Sequence, residues 1–136
     1  MSKRSYPTSL FIFILAILTL QYSATYFYWY WRIWWFDMPM HFAGGLWVGL
    51  STLWLVFLSG RFKKTIPQNA ISVFTVGVLF VFAIAIVWEI FEYAVQIFFP
   101  HGTPYDMLDT LSDIFWGLMG GVAASFSFLR KRYLEK

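Results

Sequence analysis

The chain has 136 residues, of which 60% are hydrophobic, 24% aromatic and 12% charged, with a formal net charge of +3 and no cysteine. This composition is too apolar for a soluble globular domain and indicates an integral membrane protein. The lack of cysteine excludes disulfides, thiolate metal sites and thiol chemistry. The sequence has no nucleic-acid-binding motif, nucleophile elbow or phosphate-binding glycine loop, so we expect no nucleic-acid partner.

Four apolar segments are each long enough to cross the hydrocarbon core of a bilayer, which takes about 20 residues as a helix. They run over about 9–31, 39–59, 70–99 and 109–129. Turns containing proline or glycine separate them. The sequence therefore predicts one all-α membrane domain over residues 1–136, a four-transmembrane-helix bundle whose first helix is retained and is not a cleaved signal peptide.

Ionisable residues divide between the two sets of helix ends. Every basic residue except Arg32 lies beside one set: Lys3, Arg4, Arg61, Lys63, Lys64, Arg130, Lys131, Arg132 and Lys136. Because basic residues accumulate in short cytoplasmic loops, we expect both termini on the cytoplasmic side of an inner membrane. The histidines, and all acidic residues but Glu135, lie beside the other set: Asp37, His41, Glu89, Glu92, His101, Asp106, Asp109 and Asp113. This predicts a polar layer near the extracytoplasmic face.

The second and fourth segments carry the same pattern at four-residue spacing, which places residues on one helix face. The two series are Asp37, His41, Gly45, Gly49 and Asp109, Asp113, Gly117, Gly121. Glycines at this spacing let helices approach closely in lipid. We therefore expect both faces inside the bundle, with a homodimer through glycine faces as the alternative. The third segment adds Glu89 and Glu92 on one face.

The acidic residues and one imidazole are typical ligands for cations inside helical bundles. We expect a site for one or two divalent metal ions formed by Asp37, His41, Glu89, Glu92 and Asp113. An oxygen-rich set with one imidazole favours Mg²⁺, Mn²⁺, Ca²⁺ or Fe²⁺, with Zn²⁺ as a further candidate. For Asp37 and Asp109, the alternative is a helix N-cap, where a carboxylate satisfies free amide hydrogens.

Other polar residues near this layer are candidates for catalysis and substrate binding. Asp109 or Asp106 is expected to act as the general base. Arg32, on the same helical face as Tyr28, is expected to bind a substrate phosphate; alternatively it neutralises carboxylates or extends to lipid headgroups. His101 lies in a loop that could close over the site, although an ordinary turn is the simpler interpretation. The aromatic run 26–36 is typical of a membrane interface, with a wall for a lipid chain as the alternative.

Three stretches of the sequence carry a family resemblance. They are Asp37-x3-His41-Phe42-x-Gly44, Trp88-Glu89-Ile90-Phe91-Glu92, and Gly102-Thr103-x2-Asp106-x2-Asp109-Thr110-x2-Asp113 followed by Gly120-Gly121. In these motifs the chain resembles YjdF-like membrane proteins and, more distantly, VanZ-like proteins. The resemblance covers roughly 37–121 and implies a compact helical membrane protein with His41, Glu89, Glu92, Asp106, Asp109 and Asp113 at its polar centre. The VanZ-like resemblance implies a role in the cell envelope.

These features favour a metal-dependent hydrolase or transferase that acts on a lipid or lipid-linked phosphate at the outer leaflet. Its cations would polarise phosphoryl oxygens and activate a bound water. An ion or proton translocator is the first alternative, but the cytoplasmic halves of the last three spans lack the ionisable residues of a relay. A non-catalytic, metal-stabilised membrane module is the second alternative.

Overall fold

The computed structural model describes residues 7–62, 69–98 and 106–134, and within these ranges the chain is helical, without a strand. The α-helices are α1 (Thr8–Tyr26), α2 (Trp29–Arg32), α3 (Asp37–Leu53), α4 (Ala70–Phe98) and α5 (Met107–Leu134); a π-helical turn, Trp54–Leu58, continues α3. Four helical stretches of the described ranges are long and apolar enough to cross a membrane: Thr8–Tyr26, Asp37–Leu58, Ala70–Phe98 and Met107–Lys131. The predicted all-α membrane architecture with four spans is confirmed.

The first span ends earlier than the sequence predicts. α1 stops at Tyr26, and the left-handed backbone of Tyr28, with φ of 59°, separates it from α2. The rings of this segment pack on one another, as Tyr26 does edge-on against Phe27 at 5.0 Å and Trp29 against Phe36 at 5.5 Å. Because an irregular backbone is tolerated only where water or protein satisfies its polar groups, this break is expected at the membrane interface.

α3 and α5 run parallel and approach closely along their small residues. A Cβ atom at Gly45 would overlap the backbone carbonyl of Gly117, and one at Gly49 would lie 2.7 Å from the Cβ of Ala124 and 3.4 Å from the Cα of Gly121. Small residues permit such approach between helices in lipid. The glycine faces thus meet within one chain, as expected for an internal seam, and the homodimer stays a prediction without support from these faces.

α4 runs antiparallel to α3 and α5 and packs against both. A Cβ at Gly121 would lie 2.9 Å from Cγ2 of Val81, and a Cβ at Gly77 would lie 2.5 Å from Oγ of Ser125. Residues that follow one another along α4 therefore face residues in the reverse order along α5. This antiparallel register brings Glu89 to the end of the bundle where α3 and α5 begin.

The apolar core lies at the opposite end of the bundle. Its buried members are Leu53, Val56, Phe57, Val73 and Ala124. Two hydroxyls are also buried there, and each donates to a carbonyl of its own helical segment: Ser125 to Gly121 at 3.0 Å, and Ser59 to Leu55. Within the described ranges, this half of the protein buries no ionisable side chain.

α1 is the peripheral helix of the bundle. It packs against α3, where the indole Nε1 of Trp47 donates a hydrogen bond of 2.9 Å to the carbonyl oxygen of Leu10. Ala24 is its sole buried residue. α3, α4 and α5 therefore form the compact part of the fold, and α1 covers one side of α3.

Candidate metal centre

Asp37 and His41 lie on adjacent turns at the start of α3. Phe36 takes the N-cap position and no side chain caps this helix, so the Asp37 carboxylate is not an N-cap. It lies instead beside the imidazole, with Oδ1 of Asp37 3.3 Å from Nε2 of His41. The capping alternative for Asp37 is therefore not what the structure shows.

Asp113 joins this pair from α5. Its side chain is buried, with 3% of the residue exposed, and its Oδ2 lies 3.7 Å from Nε2 of His41. The seam of small residues one and two turns further along α3 and α5 explains this proximity, because the closely packed backbones leave a short gap for side chains to span. The imidazole of His41 thus lies between two carboxylates.

A first ligand group combines the three long helices. His41, Glu89, Glu92 and Asp113 each offer one ligand atom, and these atoms all lie within 4.8 Å of one another. Oxygen ligands on opposite sides of a cation are separated by about 4.2 Å for Mg²⁺ and about 4.8 Å for Ca²⁺, given bond lengths of about 2.1 and 2.4 Å. The spacing of the group therefore fits a single divalent cation.

A second ligand group shares Asp113 with the first. Asp37, Asp109 and Asp113 offer carboxylate oxygens that also lie within 4.8 Å of one another. Asp109 lies in the first turn of α5 and is the exposed member of this group. Asp113 belongs to both groups, and the two groups together comprise six residues.

The sequence matches the family described as "Predicted membrane protein (DUF2238)" over residues 4–133. The chain belongs to this family. YjdF-like is the usual name of the DUF2238 family, so the family predicted from the sequence motifs is confirmed, whereas the more distant VanZ-like resemblance stays a prediction. No curated protein and no solved structure matches the chain. The matched range of the DUF2238 family includes every residue of both ligand groups.

Tyr30 lies beside the start of α3, with its ring against Phe36, and the sequence patterns assign it no role. It lies on α2, is half-buried, and its hydroxyl donates a hydrogen bond to Oε1 of Gln21 on α1. Burial, and after it the negative charge of Asp37, raises the pKa of Tyr30 well above its usual range, so the hydroxyl stays protonated. In the sequence, Tyr30 is hidden in an aromatic run whose general explanation is the membrane interface.

Thr110 is a second such residue. Its hydroxyl lies close enough to the Glu89 carboxylate to interact with it, so Thr110 is on the side of α5 that faces α4. Thr110 appears in the family motif, but a threonine within an apolar helix carries no signal of its own.

The remaining predicted site residues lie outside both ligand groups. Asp106 directly precedes α5, is exposed, and its Oδ1 accepts a hydrogen bond of 2.9 Å from the backbone N–H of Leu108, as a helix cap does. Tyr28 and Arg32 flank Tyr30 on the exposed side of α2. Arg32 forms no ion pair with an acidic residue of the described ranges. His101 and its loop lie outside the described residues.

Proposed function

We propose that this DUF2238 protein binds two divalent cations between α3, α4 and α5 and uses them to hydrolyse or transfer the phosphate of a lipid or lipid-linked substrate. The observation that carries the proposal is the position of Asp113, whose buried carboxylate belongs to both ligand groups. Two cations that share one carboxylate ligand would supply the clamp on attacking and leaving oxygens that two-metal phosphatases and nucleases use.

The donor sets support hard or borderline divalent cations. His41 with three carboxylates suits Mn²⁺, Fe²⁺ or Zn²⁺, and the carboxylates of Asp37, Asp109 and Asp113 suit Mg²⁺, Ca²⁺ or Mn²⁺. Mn²⁺ is acceptable to both groups. It is therefore the best probe of the centre.

Two cations here would polarise phosphoryl oxygens and acidify a bound water. In hydrolysis, the water oxygen forms a new bond to phosphorus, and the bond from phosphorus to the lipid oxygen breaks. The water proton passes through a general base to the departing alkoxide. Asp109 is our candidate for this base because it is the exposed member of the cluster, whereas Asp106 lies outside the cluster and caps α5.

The surroundings of the centre support a lipid substrate. Exposed apolar side chains surround it on α4 and α5, namely Trp88, Phe91, Leu108 and Leu111. Lipid chains can lie against such a surface while the headgroup reaches the cations. We assign headgroup binding to Arg32, the last residue of α2, and to Tyr28, which directly precedes α2; both are exposed.

The charge distribution supports an extracytoplasmic centre in an inner membrane. Arg61, Arg130 and Lys131 are exposed at the end of the bundle opposite the carboxylates. Basic residues of this kind are typical of the cytoplasmic side, so we infer that both termini lie there. Reporter fusions at either terminus test this orientation, and an extracytoplasmic terminus would contradict it.

Mn²⁺ titration of the full chain in detergent, followed by electron paramagnetic resonance, tests the two-cation centre. We expect two Mn²⁺ per wild-type chain. Glu92→Gln and Asp37→Asn should each lose one ion, and Asp113→Asn should lose both. Asp106→Asn is the matched control, because asparagine preserves the helix cap, and it should bind two ions. A wild-type protein without stoichiometric Mn²⁺ contradicts the proposal.

Turnover is tested separately with phosphate release from lipid monophosphates and diphosphates in mixed micelles. We expect release that requires Mn²⁺ or Mg²⁺, stops with chelator and falls at least about a hundredfold in Asp109→Asn. Two bound ions without turnover on any lipid phosphate would refute the catalytic part and favour the metal-stabilised module.

The translocator is disfavoured by the apolar core. A relay requires polar groups through the bilayer. Among the described residues, the only polar side chains buried in the half of the bundle around Leu53, Val73 and Ala124 are two serine hydroxyls, and each is hydrogen-bonded to a backbone carbonyl. Proton or cation flux in proteoliposomes that depends on Glu89 would reverse this ranking.

A further inference from the structure

The first turn of α3 is held by contacts other than a helix cap. Phe36 is the N-cap residue, and its side chain makes no capping hydrogen bond. The first backbone N–H groups of a helix have no partner within it, and a polar side chain at the N-cap ordinarily accepts from one of them. Asp37, the first residue of α3, nevertheless supplies an oxygen to the second ligand group. The position of Asp37 therefore depends on what holds Phe36.

Two rings of α2 pack against Phe36. The ring centroid of Trp29 lies 5.5 Å from that of Phe36, and the ring centroid of Tyr30 lies 5.3 Å from it, both in edge-on geometry. Edge-on aromatic pairs attract each other beyond the burial of their surface. All three residues are partly buried. The side chain that directly precedes Asp37 is therefore held by two attractive ring contacts.

α2 is supported in turn by α1. The hydroxyl of Tyr30 donates a hydrogen bond to Oε1 of Gln21 on α1. α1 is also attached to α3 by the hydrogen bond from Trp47 to the carbonyl oxygen of Leu10. Gln21 and Leu10 lie about 16 Å apart along α1 at 1.5 Å per residue. α1 is therefore attached at two separate levels, and it gives the rings of α2 a fixed support.

The second ligand group needs this support more than the first group does. The first group takes its α3 ligand from His41, one turn further into the helix. One turn beyond His41, Gly45 packs against the backbone of Gly117 on α5, so the seam holds His41 without help from Phe36. The α3 ligand of the second group is Asp37, which precedes His41 by one turn and is further from the seam.

We propose that Phe36, with Trp29 and Tyr30 packed against it, is a positioning residue for Asp37 and so sets the affinity of the second ligand group for its cation. The inference rests on the two-cation centre proposed above. When a ligand is in place for only a fraction of the time, the apparent affinity falls by that fraction. Removal of the ring at position 36 therefore weakens binding of the second cation and leaves binding of the first nearly unchanged.

The test is a Mn²⁺ titration of Phe36→Leu and wild type, as full chains in detergent, followed by electron paramagnetic resonance. Two reference variants identify the binding steps: Asp37→Asn removes a ligand of the second group, and Glu92→Gln removes a ligand of the first. We expect Phe36→Leu to weaken the step that Asp37→Asn abolishes by about tenfold, the lower end of what loss of an orienting neighbour costs a metal site. The step that Glu92→Gln abolishes should stay within about twofold of wild type.

Further variants separate positioning from a general loss of packing. Phe36→Tyr keeps a ring at this position and should retain most of the wild-type affinity at the second group. Trp29→Leu removes one ring contact and should weaken the same step, and it should add little in the Phe36→Leu background, because both changes act through one contact. Trp34→Leu, at an 80% exposed position two residues before Phe36, is the matched control and should bind as wild type does.

The outcomes distinguish this inference from the proposed function. If wild type binds two Mn²⁺ and both Phe36→Leu and Trp29→Leu bind them equally well, the role of Phe36 is wrong and the metal centre stands. Equal weakening of both steps also refutes the inference, because a merely structural effect of the ring would not select the second group. A wild type that does not bind two Mn²⁺ overturns the proposed function itself, and this inference with it.

Discussion

Two neighbouring glycines of α3 provide a sharp test of the packing between α3 and α5. A Cβ added at Gly45 would lie 2.7 Å from the carbonyl carbon of Gly117 and 2.9 Å from its Cα, whereas a Cβ added at Gly44 meets nothing within 4 Å. Ordinary contact begins at 3.4 Å. Because the obstacle is backbone and the carbonyl oxygen of Gly117 lies nearer still, Gly45→Ala requires the two helices to separate by about 1.4 Å.

The difference in unfolding free energy between Gly45→Ala and Gly44→Ala isolates this steric effect. Both variants gain about 0.5–1 kcal/mol from replacing glycine inside a helix, so that gain cancels in the comparison. Overpacking costs about 1–3 kcal/mol. We therefore expect Gly45→Ala to be less stable than Gly44→Ala by about 1–3 kcal/mol, and Gly44→Ala to be as stable as wild type or more so.

Reversible unfolding in mixed detergent micelles, followed by circular dichroism, measures both variants under the same conditions. Mn²⁺ affinity is a second readout. His41 lies one helical turn from Gly45, so separating the helices at Gly45 also moves His41 away from Asp113. We expect weaker Mn²⁺ binding in Gly45→Ala and unchanged binding in Gly44→Ala. Equal stability of the two variants would refute the close α3–α5 seam.

Three further predictions concern other parts of the chain. Gly77→Ala should destabilise the protein, since the new Cβ would lie 2.5 Å from Oγ of Ser125, and Ser125→Ala should restore much of the loss without changing Mn²⁺ affinity, as thermal unfolding and Mn²⁺ titration can show. Asp106→Ala should lower the unfolding free energy by about 1 kcal/mol through loss of the cap to Leu108, while Asp106→Asn should be nearly neutral in the same assay. Because the pKa of Tyr30 is raised in the folded protein, its contribution to stability is complete below pH about 10 and is lost as the pH rises further. The free energy of unfolding should therefore fall more steeply above pH about 10 in wild type than in Tyr30→Phe. Equal falls in the two proteins would contradict a raised pKa for Tyr30.

The ligand layer was predictable because it depends on helix geometry alone. With 1.5 Å of rise per residue, a position on a helix that spans the bilayer fixes a depth. Four-residue spacing fixes a face. Those two rules placed His41 and Asp113 at one level on facing sides, and the contact between their side chains agrees. The glycines that follow on each helix then predicted which faces approach.

The contribution of α1 and α2 was not predictable by the same rules. Continuing the helical spacing of the first segment through residue 32 puts Gln21, Tyr28 and Arg32 on a common face. The left-handed residue Tyr28 ends that periodicity, so Tyr28 and Arg32 stay exposed while Tyr30 reaches back to Gln21. No glycine, asparagine or proline marks this break, and a tyrosine with positive φ is rare enough that sequence patterns do not anticipate it.

The two ends of the bundle have opposite energetic roles. Carboxylates from three helices repel one another near Asp113. Among the described residues, His41 is the one basic side chain paired with these carboxylates, so a bound cation would reduce their repulsion. The buried apolar residues around Leu53 and the seam at Gly45 hold the helices together independently of that charge. A cation that binds only the folded state adds about 2.7 kcal/mol when its concentration is a hundred times its dissociation constant. This gain is comparable to the steric cost expected for Gly45→Ala, so the packing of small residues and the binding of cations are two coupled means of keeping the same helices together.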